Sequence, residues 1–254
     1  MKPQVKVFET AEELSRSAAE FVTQRAVEAC RAGGGFTLAL SGGGTPKKLY
    51  QFLAGEPLRG SFPWGESHFF LGDERFVAPD HPESNFGMAR QVLLDKVPLP
   101  GGNVHPLDTT AGTVEEAARR YEEELRKVFG RSGKDRGSGP AGDFPRFDLV
   151  LLGLGPDGHT ASLFPGNPVL DEHRRWAAAV EAPPSYPTRE RVSLTLPVLN
   201  AAACVLFLAA GREKSPLVKA ILETPEKARL LYPAARVEPS VGELYWFLDR
   251  QALA

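Results

Sequence analysis

Sulfur, histidine and net charge are all scarce in this chain of 254 residues. Its two cysteines, Cys30 and Cys204, lie far apart in apolar contexts. They cannot build a disulfide framework or a cysteine metal site, and they read as buried, reduced thiols of a cytosolic protein. The formal net charge is −2 at pH 7. That excludes a broad basic surface for nucleic acid or an anionic membrane, while a local basic pocket is still allowed. No apolar run is long enough to cross a bilayer, and MKPQVKVFETAEELSR lacks the apolar core of a secretory leader. No internal repeat is visible. A hydrophobic fraction of 42% and a charged fraction of 24% are ordinary for a globular protein. The expectation is a cytoplasmic protein with one domain over 1–254.

Short apolar runs alternate with amphipathic stretches. Val5, Val7 and Phe8 predict a first strand. Thr10 with Glu13 forms a capping box before Leu14, Ala18, Phe21, Val22, Ala26 and Ala29, which recur at helical spacing. Further strands are predicted at 36–40, 67–71, 147–152, 191–196, 204–209 and 244–248, and another in RRWAAAVEAP. Helices are predicted from Met88 to Leu94, and from a capping box at Thr113 and Glu116 to about Phe129. The run GRSGKDRGSGPAGDFPR, 130–146, has the composition of a surface loop. The alternation predicts an α/β fold: a doubly wound, mostly parallel sheet with helices on both faces, Rossmann-like in its three layers. Ligands of such sheets bind beyond the carboxyl ends of the strands.

Four predicted strand ends carry chemistry. Phe36–Leu40 runs into Ser41-Gly42-Gly43-Gly44-Thr45-Pro46. Strand, glycine loop and helix make a phosphate cradle, with Thr45 expected as N-cap and Pro46 at the first helical position. The alternative is a plain strand-to-helix turn that needs glycine for its geometry. The nucleotide-binding GxxxxGK[ST] and the hydrolase GxSxG are both absent. After 67–71 come Asp73, Glu74 and Arg75, where an arginine could clamp a phosphate or stabilise an oxyanion. His81, held before Pro82, reads as a loop residue that could line the site. Lys214 falls in the predicted first helical turn after 204–209, where a cation opposes the helix dipole unless an anion is near.

The densest stretch is FDLVLLGLGPDGHTASLFPG. A buried-type strand ends in Gly153-Leu154-Gly155-Pro156-Asp157-Gly158-His159. Histidine can take a proton from water near neutral pH, and an aspartate two positions earlier can fix its tautomer. A surface turn would look much the same in sequence. Gly153, Gly155 and Gly158 match the dinucleotide fingerprint, but Pro156 and Pro165 forbid the helix that motif requires, and Asp171 and Glu172 precede the next strand.

Together SGGGTPKKLY, GDERFVAPDHPESNFGMAR, LLGLGPDGHTASLFPG, RVSLTLPVLNAA and GREK closely resemble the 6-phosphogluconolactonase family, which groups with glucosamine-6-phosphate isomerases. The resemblance runs almost end to end and weakens at 130–146 and over the C-terminal segment. It implies hydrolysis of a sugar-phosphate lactone, 6-phosphoglucono-δ-lactone, in the oxidative pentose phosphate pathway, with no metal and no cofactor. By position it implies His159 as the base, supported by Asp157, and Gly42, Gly43, Gly44 and Thr45 as the phosphate loop. Arg75 and Lys214 would be cations at phosphate or oxyanion, and Asp73, His81 and Asn85 would line the site. A small-molecule partner is implied, with no nucleic acid and no membrane, in a monomer or weak homodimer. A deaminase is the rival within the fold, but Arg75 stands where that family has tyrosine, and Ser162 to Pro165 stand where it has a glutamate. A non-catalytic sensor would be expected to lose one of Asp157 and His159.

Overall fold

The computed structural model describes residues 3–110, 112–131 and 144–254. Most of the expected 130–146 loop lies outside the described residues. In order, the elements are β1 (Gln4–Phe8), α1 (Ala11–Arg31), β2 (Phe36–Leu40), α2 (Gly44–Leu53), α3 (Leu58–Ser61), β3 (Ser67–Leu71), β4 (Asp73–Arg75), α4 (Asn85–Val92) and α5 (Val114–Arg131). Then follow β5 (Leu149–Gly153), β6 (Ala177–Glu181), β7 (Glu190–Leu194), α6 (Leu196–Ala201), β8 (Cys204–Ala209), α7 (Ser215–Glu223), α8 (Pro225–Leu231) and β9 (Glu243–Asp249). No helix among the described residues is long and apolar enough to cross a membrane.

Six strands form one sheet in the order β1-β9-β8-β5-β2-β3, and every neighbouring pair is parallel. The apolar runs explain its centre. β2 and β8 are buried at every residue, which requires cover on both faces; β8 is apolar throughout, and Thr37, the polar residue of β2, donates to the Asp148 carboxylate. Phe207 and Trp246, opposite each other in the β8–β9 register, stack at 4.1 Å. The sequence order reverses inside the sheet: the chain leaves β2 toward β3 on one side, and leaves β5 toward β8 on the other. The crevice at a carboxyl edge with this reversal is the ligand position of open α/β sheets.

The six-stranded sheet is the mostly parallel sheet that the sequence predicts, and a second, smaller sheet accompanies it. β4, β7 and β6 form a separate antiparallel sheet, with Arg75 opposite Arg191 and Ser193 opposite Asp73. Asp73–Arg75 is therefore a strand in its own right rather than the frayed end of β3. Three charged residues in a row hide a strand from any apolar pattern.

What allows that strand to be buried is hydrogen bonding. Glu74 is 2% exposed. Its carboxylate accepts from the Ser84 hydroxyl and from the backbone N–H groups of Arg75, Asn85 and Phe86. Two of those donors open α4, so Glu74 satisfies a helix N-terminus that would otherwise be buried unpaired. Burial pushes its carboxyl above the usual range, against the pull of these four bonds. The helix starts at Asn85, earlier than the expected Met88, because Ser84 is its N-cap and accepts from Gly87 N–H. Glu74→Ala should leave those donors stranded and lower the unfolding free energy by about 2–4 kcal/mol, measured by urea denaturation.

The capping box at Thr113 and Glu116 forms in both directions. At α1, Thr10 caps Glu13 N–H, but the Glu13 carboxylate takes the Glu9 N–H, one residue before the expected partner. Cys204 is buried, which pushes its thiol up to about 12, whereas Cys30 is only partly covered.

Candidate active site

At the reversal point lies a cavity of about 180 Å³. Its walls come from four places in the sequence: Ser41 to Gly43 after β2, Asp73 and Arg75 on β4 with Asn85 on α4, the Gly153–Gly155 and His159–Ala161 segments after β5, and Arg191 on β7. A larger groove of about 770 Å³ lies elsewhere. Its charged lining is Glu115, Asp171, Glu172, Glu181 and Glu190 against Arg175 alone, the wrong sign for an anion. Among the described residues, no three His, Cys, Asp or Glu side chains stand close enough together to hold a metal ion.

The glycine wall is fixed by α2 itself. Tyr50 is fully buried, and its hydroxyl accepts from Ser41 N–H at 2.9 Å and donates to Ser41 C=O at 2.8 Å. This ties the helix back to its own entry. Gly43, at φ 103°, is the N-cap, in a backbone region that side chains avoid. Thr45, expected in that role, sits one position inside the helix. The first backbone N–H groups of α2 and its partial positive charge thus open at the cavity.

On the opposite wall the Asp157–His159 turn is closed by Gly155 N–H to His159 C=O at 2.8 Å and Gly158 N–H to Gly155 C=O at 3.1 Å. A side chain at Gly155 would have its Cβ 2.0 Å from the His159 ring, so only glycine lets the imidazole lie against this turn. His159 Nδ1 stands 2.5 Å from Asp157 Oδ1. The same oxygen accepts His159 N–H at 3.1 Å. Burial opposes the charge on Asp157, yet the hydrogen bonds and charge of His159 outweigh it and hold the carboxyl below its ordinary range. An ionised Asp157 this close to Nδ1 calls for a proton on that nitrogen, so in the neutral imidazole the lone pair is on Nε2.

A carboxyl held below its unfolded value stabilises the fold at neutral pH, and that contribution disappears as pH falls through the folded value. Asp157→Asn should therefore lower the melting temperature at pH 7, with the gap to wild type closing as the solution is taken below about pH 4. Differential scanning calorimetry across that range checks it.

Between these walls stand two arginines. Arg75 and Arg191 face each other across the antiparallel β4–β7 pair, an arrangement that is repulsive without an intervening anion. Arg191 is 4% exposed. Burial, and next the Arg75 guanidinium, pull its own guanidinium below the ordinary value. Its Nε donates to Thr188 C=O, and its guanidinium lies over Phe164 and Tyr186. Arg75 donates through one terminal nitrogen to Glu83 C=O at 2.6 Å, while its buried Nε finds no partner among the described residues. Asp73 is anchored by the Ser162 hydroxyl at 2.6 Å and its backbone carbonyl by Asn85 Nδ2 at 2.9 Å. The cavity thus holds an acceptor base, two converging cations and a helix N-terminus, equipment for binding an anion beside a proton-transfer centre.

A family model described as glucosamine-6-phosphate isomerases/6-phosphogluconolactonase matches residues 9–246. The chain belongs to this family. A 6-phosphogluconolactonase of Synechocystis sp. is 44% identical over 252 residues, 99% of this chain and 98% of that protein. A 6-phosphogluconolactonase of Rattus norvegicus is 44% identical over 256 residues, 98% of this chain and 91% of that protein. Among solved structures, the 6-phosphogluconolactonase of Trypanosoma brucei superposes with a TM-score of 0.83 at 34% identity, covering 99% of this chain and 97% of that one.

In this member of the 6-phosphogluconolactonase family, the cavity brings together Gly42, Gly43, Asp73, Arg75, Asn85 and His159 from among the residues singled out by sequence. Asp157 stands behind His159. Gly44 and Thr45 continue into α2 and are not in the cavity wall. Lys214 ends a short turn after β8 and occupies the N-cap position of α7, one residue before the helix and also outside that wall. His81 is a correction. It is exposed, accepts from Glu83 N–H within its own loop, and lines a separate groove with Lys47 and Arg90. Two residues escaped the sequence reading, Arg191 and Tyr186. An arginine opening the otherwise half-apolar RVSLTL strand was the available signal for the first.

Proposed function

We propose that this chain hydrolyses 6-phospho-D-glucono-1,5-lactone to 6-phospho-D-gluconate, the lactone step of the oxidative pentose phosphate pathway. The chain would act as one domain over 1–254, cytoplasmic, as a monomer or weak homodimer, without nucleic acid or membrane. The observation that carries this reading is the meeting of the Asp157–His159 pair with Arg75, Arg191 and the Gly42–Gly43 loop in one cavity.

In this reading His159 Nε2 takes a proton from water as the water oxygen attacks the lactone carbonyl. Asp157 stabilises the imidazolium that forms. The carbonyl oxygen becomes an oxyanion, which Arg75 stabilises through Nε, the nitrogen that has no partner among the described residues. As the tetrahedral intermediate collapses, the bond from the carbonyl carbon to the ring oxygen breaks, and the imidazolium returns its proton to that oxygen. The products are a carboxylic acid, which ionises in water, and a free hydroxyl. The phosphate rests on the backbone N–H groups of Gly42 to Thr45 at the start of α2, with Arg191 and Lys214 as its cations. A lactone is an activated ester, so one positioned base and an oxyanion donor suffice, and no covalent nucleophile is needed.

The test is lactone consumption followed by NMR, with 6-phosphogluconolactone generated in situ and the spontaneous rate subtracted. Acceleration confined to the phosphorylated lactone is the expected result. Equal acceleration of the unphosphorylated lactone would remove the phosphate site from the reading, and no acceleration would remove the lactonase.

A further inference from the structure

We propose that Tyr186 is a positioning residue that anchors the Asp157 carboxylate and so fixes the tautomer of His159; this rests on the lactonase reading of the same site. Tyr186 lies in the loop between β6 and β7 and contributes nothing to the cavity wall. It reaches the base from behind.

Asp157 has a weak point. Its carboxylate is about one-third exposed at 34%, and its partners within the turn are its own backbone and His159. Anchored only to the group it must orient, it could swing toward water and take the imidazole with it. Among the described residues, Tyr186 is the side chain from outside the turn whose hydroxyl reaches the Asp157–His159 pair, and the nearby Asp157 carboxylate helps burial push its phenol above the ordinary range. The hydroxyl stands 3.2 Å from His159 Nδ1. That nitrogen already donates its proton to Asp157, so it has no lone pair for the phenol. The hydroxyl therefore donates to the carboxylate. If Asp157 turned away, Nδ1 would be free to give up its proton and accept from Tyr186 instead. The lone pair would then leave Nε2, the nitrogen that the reaction uses as base.

The phenol is itself held firmly. Its backbone N–H donates to Pro183 C=O at 3.0 Å. Its ring meets His159 edge-on at 5.5 Å, packs on Phe164 at 5.1 Å, and lies beneath the Arg191 guanidinium at 5.4 Å. Phe164 and Arg191 are both buried. A preorganised donor of this kind pre-pays the ordering of the pair it serves.

Tyr186→Phe keeps every ring contact and removes only the hydroxyl, so the variant should fold as wild type does. Hydrolysis of the phosphorylated lactone should show kcat lower by about tenfold with KM unchanged. In protein labelled with 15N-histidine, with His159 assigned by the signals lost in His159→Gln, the wild type should show a protonated Nδ1 and an unprotonated Nε2. Y186F should show shifts averaged between tautomers. Wild-type kcat together with wild-type His159 shifts in Y186F would overturn the proposal. A lower kcat with unchanged His159 shifts would also overturn it, because the effect would then be structural. If the wild type fails to hydrolyse the lactone, the functional reading falls by itself, and the NMR comparison alone decides for or against Tyr186.

Discussion

His159→Ala should lower kcat for the phosphorylated lactone by about a thousandfold while KM changes little. The reason lies in the geometry of the turn. The imidazole is the one group in the cavity with both a lone pair and a carboxylate fixed at its other nitrogen, 2.5 Å away. Removing it takes away proton transfer but leaves Arg75, Arg191 and the glycine loop in place, so the substrate should still bind. Stopped-flow and steady-state measurements against the spontaneous rate separate the two effects. Turnover in H159A equal to wild type would take His159 out of the chemistry. A KM rise with kcat unchanged would reassign it to binding.

Arg191→Ala should reduce kcat/KM for the phosphorylated lactone by about a hundredfold, or ~3 kcal/mol, mostly through KM. The unphosphorylated lactone should lose much less, only what the loosened Tyr186 ring takes from kcat. The same change should cost little stability in the free protein. Arg75 and Arg191 face each other on adjacent strands, so losing one guanidinium relieves a like-charge contact even as packing on Phe164 and Tyr186 is lost. A site that is strained when empty and relaxed when filled is the expected trade between stability and function. Thermal melts with and without 6-phosphogluconate check this: the ligand should raise the wild-type midpoint and leave that of R191A almost unmoved. Loss on both lactones alike would show that Arg191 acts on the reacting carbonyl instead.

The main sheet was legible because its central strands are written in mostly apolar residues. Phe36 to Leu40 and Cys204 to Ala209 admit no other reading than burial on both faces. Their common edge then collected Gly42, Asp157, His159 and the approach to Lys214. The second sheet was not legible. Asp73-Glu74-Arg75 reads as a solvated turn, and only the Ser162 hydroxyl, the start of α4 and the pairing with β7 make its burial affordable. Those partners come from more than 80 positions away in the case of Ser162, beyond any local pattern. Arg191 became visible only once its strand was paired with Arg75. Tyr186 sits among prolines with no periodicity to mark it. His81 failed for the opposite reason: a polar loop near a charged motif suggested proximity, but the loop carries its side chain away from the cavity. At the glycine loop the residue type misled. Thr45 is a good cap by composition, yet Gly43, at positive φ, is the N-cap, and the helix starts two residues earlier than expected.

In the proposed function, one small cavity holds a phosphorylated sugar acid with its C1 end at His159 and its phosphate at the glycine loop. A crystal structure with 6-phosphogluconate bound tests this most directly. The carboxylate is expected within hydrogen-bonding distance of His159 Nε2 and Arg75, and the phosphate against Gly42, Gly43 and Arg191. The product bound with its phosphate beside His159, or seated in another groove altogether, would contradict it.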